Sequence, residues 1–95
     1  MSNGLTKAQE LITEECDSIK ELLLAKNKAY GNSAIEPIRV FSKASNIEQI
    51  LVRLDDKAAR LQRGLGSADE EDVIKDMIGY LILLRVCKRV NEEKA

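Results

Sequence analysis

Three stretches set charged side chains against apolar helix faces: KNKAYGNSA over 26–34, RLDDKAARL over 53–61 and EDVIKDMIGYLILL over 71–84. A charge beside grease is costly unless it is paired or meets a ligand, so these positions require partners. Stepping at about 100° per residue puts both Glu15 and Lys26 near the middle of the apolar stripe of the first helix. They are about three turns apart, too far to pair with each other. Arg53, Lys57 and Arg60 share one side of the next long helix, with Lys57 nearest its apolar stripe. Cations at the border of a partly dry cleft suit phosphate oxygens. Arg39 and Lys43 extend the basic wall. The bland account of the same pattern is ion pairing of Asp56 with Arg53 and Arg60, with Glu15 and Lys26 either snorkelling to water at the bundle ends or making interhelical salt bridges.

The acids lie elsewhere. Asp72 and Asp76 are one helical turn apart, with Glu71 beside the first. A hard divalent cation wants several converging carboxylate oxygens, and such a pair supplies two, leaving Glu15 on a facing helix as candidate for the rest. The competing use of these aspartates is pairing with Lys57 or Lys26 and compensation of the helix dipole. Gly79 shares their side of the helix, where a missing Cβ admits either a ligand or a tight helix crossing. Tyr30 and Phe41 are the aromatic groups that could stack on a base. The chain has no histidine, which removes the usual general base and any Ser-His or Cys-His nucleophile, so any catalysis falls to carboxylates and a metal.

Composition narrows the classes further. Fifteen basic against sixteen acidic residues leave a net charge of -1, so no global field draws nucleic acid or an anionic membrane, and any anion site must be local. No Trp, one Phe and two Tyr are too few for a base-stacking platform. Cys16 and Cys87 lack zinc or redox spacing and read as buried free thiols of a reducing cytoplasm. The start MSNGLTKAQE has no signal-type apolar core, and the apolar run over 77–84 is far shorter than the ~20 residues of a membrane span. The expectation is a soluble cytoplasmic protein with no nucleic-acid and no membrane partner. Ninety-five residues lie near the lower limit for an unaided core, so oligomerisation is expected from size alone.

The elements that must position these residues read as all-α, because proline occurs once and apolar residues recur three and four apart. Thr6 with Gln9 forms a capping box for a helix to about Tyr30, stopped by Gly31, with Ala8, Leu11, Ile12, Ile19, Leu22, Leu23 and Ala29 facing inward. Pro37 opens a short helix through Val40, Phe41 and Ala44. Asn46 with Gln49 caps the next helix, whose stripe is Ile47, Ile50, Leu51, Leu54, Ala58 and Leu61 and which Gly64 and Gly66 end. Ser67 and Glu70 cap a last helix reaching about Val90. That helix is apolar on nearly every side between Met77 and Val86, so a second chain is expected on its remaining face. The whole reads as one domain over 1–95, with 1–5 and 91–95 frayed: a bundle of three long helices plus one short helix, completed by homo-oligomerisation.

Lys26-Asn27-x-x-Tyr30-Gly31, then Arg53-x-x-Asp56-Lys57-x-x-Arg60-Leu61, then Glu71 with Asp76 and Tyr80 resemble the nucleotide modification associated domain family found widely in phage genomes. The match runs over about 26–84, and that family in turn resembles the all-α MazG-type nucleoside triphosphate pyrophosphatases. The resemblance implies a nucleotide ligand and, for a phage-encoded chain, the host cytoplasm. Together with the basic residues above, it makes Lys26, Asn27, Tyr30, Arg39, Lys43, Arg53, Lys57, Arg60, Asp76 and Tyr80 the ligand-binding candidates. A MazG-type site uses an EExxE helix facing a later helix with ExxxD-like spacing, whose carboxylates hold Mg²⁺. Here Glu14-Glu15 is followed by Ser18 and Ile19, so the last acid of the first element is missing, while Asp72-x-x-x-Asp76 approximates the second. The leading expectation is therefore capture without cleavage: a sponge for a cyclic nucleotide or ADP-ribose derivative that counters host immune signalling, with no cofactor. The rival is a Mg²⁺-dependent pyrophosphatase with Glu15, Asp72 and Asp76 as metal ligands and Lys57 on phosphate. A third reading is a helical adaptor that binds a partner protein through the exposed face of its last helix.

Overall fold

A computed structural model describes residues 4–64 and 70–94, the side chains of 70–72 apart, and among these the helices are α1 (Lys7–Tyr30), α2 (Asn46–Arg63) and α3 (Glu70–Lys94). No strand occurs among the described residues. The start of α1 follows from its sequence. Thr6 Oγ1 accepts from the Gln9 N–H at 3.1 Å and Gln9 Oε1 accepts from the Thr6 N–H at 2.9 Å, so each side chain satisfies a backbone donor the helix leaves unpaired. Its end is as local: Gly31 takes a left-handed φ of 64° and its N–H reaches Asn27 O. Asn32 follows at φ 66°, and the Asn27 side-chain amide donates to Asn32 Oδ1 at 2.7 Å, so the chain reverses within a few residues.

Two expectations about the connector are corrected. The segment after Pro37 forms no helix; α2 begins only at Asn46. Arg39 Nη1 donates to Lys43 O at 3.3 Å and Ala44 O at 2.9 Å, and Ser42 Oγ accepts from the Ala44 N–H at 3.1 Å, so side chains satisfy backbone groups that a helix would have used. Ile38, Val40 and Phe41 are exposed, Phe41 to 98%, and without a face to bury a short helix has nothing to offset its nucleation cost. The cap of α2 is Ser45 rather than Asn46: Ser45 Oγ accepts from the Glu48 N–H at 3.1 Å. Asn46 instead turns inward and is buried. Its Nδ2 donates to Ile35 O at 2.9 Å and to Asn91 Oδ1 at 3.3 Å, while its Oδ1 accepts from the Ile47 N–H at 2.8 Å and from Asn91 Nδ2 at 3.2 Å. This one amide ties the turn after α1, the start of α2 and the end of α3 together.

α2 stops at Gly64. The expected Gly66 stop and Ser67–Glu70 capping box lie outside the described residues. α3 continues through Lys94, so 91–94, expected to fray, are helical, with Asn91 bonded to Asn46 and Lys94 Nζ 3.8 Å from Glu36 Oε1.

The core sits between α2 and α3, where Ile35, Ile50 and Cys87 are buried among Ile47, Leu54, Tyr80, Leu83, Leu84 and Val90. α1 joins through its second half. A Cβ built on Gly79 would lie 3.2 Å from Leu23 Cδ2, so the glycine permits the close approach of α1 to α3. Ile19 is buried, but Ala8, Leu11 and Ile12 of the anticipated inner face are exposed, because no other described helix packs on the first half of α1, and Ala29 in its last turn is exposed as well. Leu51 of the α2 stripe is exposed as well. α3 is buried on one side only; Ile74, Ile78, Leu81, Ile82 and Val86 face outward. No helix among the described residues is long and apolar enough to cross a membrane.

Candidate functional site

The second half of α1, the turn after it and the facing sides of α2 and α3 enclose a cleft of about 420 Å³. That volume falls within the ~300–1,000 Å³ usual for small-molecule sites. Leu22, Leu23, Ile50, Leu83 and Gly79 give it an apolar floor. Lys26, Arg53 and Lys75 bring positive charge from all three helices, against the single carboxylate of Asp76. Tyr30 and Tyr80 supply rings, and Asn27, Asn32, Ser33 and Gln49 supply neutral polar groups.

Asp76 is held on both sides. Lys57 Nζ lies 3.1 Å from its Oδ2, and Lys26 Nζ lies 3.9 Å from its Oδ1. The two contacts differ in kind. The Lys57 ammonium is at hydrogen-bond distance and its side chain is only 16% exposed, whereas Lys26 is half-exposed and its contact is loose. Lys26 is therefore available to a ligand and Lys57 is committed to the carboxylate. Arg53 and Lys75 make no ion pair within the described residues. The anticipated local pairing of Asp56 with Arg53 and Arg60 does not form either, so Arg53 stands at the cleft wall with no acid partner among the described residues.

Six of the ten sequence candidates thus come together in one cavity: Lys26, Asn27, Tyr30, Arg53, Asp76 and Tyr80. Asn27 has a structural duty there, since its amide closes the turn onto Asn32. Lys57 stands behind the wall and acts through Asp76. Arg60 is exposed and does not line the cleft. Arg39 and Lys43 belong to the loop that bonds to itself and do not line it either, so the basic wall ends at Arg53. Lys75 was missed, although Asp72, Lys75, Asp76 and Gly79 fall on one helix side by their spacing of three, one and three. Gln49, read only as part of a cap, reaches Ala44 O at 3.0 Å and lines the cleft.

For a metal, Glu15 is exposed on α1 outside the cleft, the Asp76 carboxylate faces two ammonium groups, and the Asp72 side chain lies outside the described residues. Among the described residues no group of three or more acidic, His or Cys side chains is placed to hold a metal ion. Both cysteines are free, but only Cys87 is buried as expected; Cys16 lies on the exposed first half of α1, and burial pushes the Cys87 thiol above its ordinary value.

No protein-family model, curated protein or solved structure matches the chain.

Proposed function

We propose that the chain is a nucleotide-binding protein that captures a phosphate-bearing nucleotide in the α1–α2–α3 cleft and holds it intact. The observation that carries this reading is the company of Lys26, Arg53 and Lys75 around an apolar floor with two tyrosines. Lys26, only loosely paired with Asp76, together with Arg53 and Lys75, which have no ion pair among the described residues, favours phosphate oxygens, and aromatic rings favour a base. The resemblance of three ordered motifs to the phage nucleotide modification associated family directs the reading toward a viral sponge acting in the host cytoplasm. Its target would be a cyclic nucleotide or ADP-ribose-type immune messenger, and the working form a homo-oligomer. Retention is favoured over cleavage because Lys57 and Lys26 already occupy the Asp76 carboxylate that a Mg²⁺ site would need.

The test is titration calorimetry of the purified protein with cyclic dinucleotides, ADP-ribose and nucleoside triphosphates, with and without Mg²⁺, followed by recovery of the ligand. Saturable binding with intact ligand returned, lost on joint replacement of Lys26, Arg53 and Lys75 by Gln, is the expected result. Conversion of the ligand would replace the reading by the pyrophosphatase one. Binding unaffected by the triple replacement would remove the cleft from it.

A further inference from the structure

The protomer exposes far more surface than a compact chain of its mass. Its accessible area is 7590 Å² at 10.6 kDa, whereas folded monomers of that mass average about 5,500 Å². Its radius of gyration, 15.9 Å, likewise exceeds the ~12 Å of a compact chain of this length. The excess of about 2,000 Å² per chain is of the size that permanent subunit contacts hide.

Two apolar faces contribute to that surface, beside the exposed connector side chains Ile38, Val40 and Phe41. On α1, every residue from 11 to 17 is exposed, yet Ala8, Ile12 and Cys16 continue the stripe that further along buries Ile19 and packs Leu23 on Gly79. Ile12 is 61% exposed. On α3, Ile74, Ile78, Leu81 and Ile82 line the side turned away from α1 and α2, and Arg85 and Arg89 extend it. Glu15 on the first face and Arg85 on the second are exposed and have no partner among the described residues.

We infer that a second copy of this chain covers both faces, the first half of α1 from each protomer packing on the outer face of α3 of the other. The two surfaces match step for step when the helices run in the same direction. Ala8, Leu11, Ile12 and Glu15 have the same spacing as Ile78, Leu81, Ile82 and Arg85, so the apolar groups meet one another and the acid meets the guanidinium. Exchange of the same contact in both directions closes a two-fold dimer. With a net charge of -1 per chain, no general repulsion opposes it. This inference rests on the oligomeric part of the proposed function and not on its ligand, which calorimetry tests separately.

Sedimentation equilibrium of the full chain reads it directly. Wild type sediments as a dimer at micromolar concentration. Ile12→Glu and Leu81→Glu each give monomers, with helix content by circular dichroism retained because both side chains are already exposed in the protomer. Glu15→Arg and Arg85→Glu each weaken association by roughly tenfold, and the double charge swap recovers most of the loss. Monomeric wild type overturns the inference, as does dissociation by only one of the two glutamate variants, which would mean α1 on α1 or α3 on α3. Failure of the double swap to recover overturns the register.

Discussion

Lys57 Nζ stands 3.1 Å from Asp76 Oδ2 and so joins α2 to α3 at the edge of the cleft, leaving the looser Lys26 ammonium on the open side of the same carboxylate. Replacing Lys57 by Met leaves a carboxylate that is only 27% exposed without its close partner. Loss of such a charge-assisted contact costs about 1.5–3 kcal/mol. Urea denaturation of Lys57→Met should show that loss, and Lys57→Met with Asp76→Leu should recover part of it. A single variant as stable as wild type would mean that the pair contributes nothing to the fold.

Asn46 satisfies both of its donors and both acceptor directions in the interior. Asn46→Leu strips the Ile35 carbonyl of its partner and should lower the unfolding free energy by ~1–3 kcal/mol, the cost of an orphaned buried polar group. Asn91→Ala, at the more exposed end of the same network, should cost less. The order of the two urea midpoints is the check.

At Gly79, a methyl group gains helix propensity of about 1 kcal/mol but must move Leu23 Cδ2 from 3.2 Å by a few tenths of an ångström. Leu23 is half-buried and has room to adjust, so Gly79→Ala should stay within ~0.5 kcal/mol of wild type by thermal melting. Gly79→Val adds bulk between α1 and α3 and should destabilise by ~1–3 kcal/mol, the usual range for overpacking.

Burial raises the Cys87 thiol above its ordinary value of 9.0, so the folded state retains a proton that the unfolded state gives up first. The contribution of Cys87 to stability is therefore complete below pH 9.0 and declines as pH rises past that value. Denaturation midpoints should fall on the alkaline side, and less so in Cys87→Ala. In a Cys16→Ser background, iodoacetamide should label Cys87 only on unfolding, since the side chain has no exposed surface.

Arg53 has no acid partner among the described residues, so Arg53→Glu, which leaves two cations facing two carboxylates in the cleft, should cancel the local positive field and abolish nucleotide binding while changing the melting temperature little. Equal loss of stability would make Arg53 a structural residue instead.

Much of this architecture is written in short-range sequence. The capping box of Thr6 and Gln9 and the left-handed Gly31 set both ends of α1, because each depends on groups within a few residues. Helical spacing set Lys26, Arg53 and Asp76 beside apolar stripes, and the family resemblance added Tyr30 and Tyr80; the five line one cleft. Lys75 shared the Asp76 side of its helix but was hidden by the acids around it.

What the tertiary structure decided concerns competition between distant groups. Asn46 had the chemistry of a cap, but the buried Ile35 carbonyl and Asn91 drew its amide inward and left the cap to Ser45. Lys57 had the chemistry of a phosphate ligand, and Asp76, a helix away, engaged it first. The segment after Pro37 had helical periodicity without a surface to bury it against, so its side chains bonded the loop to itself. Periodicity fixes which side chains share a face; only the packed chain settles which partner reaches each of them, because that depends on distances between elements that sequence spacing does not encode.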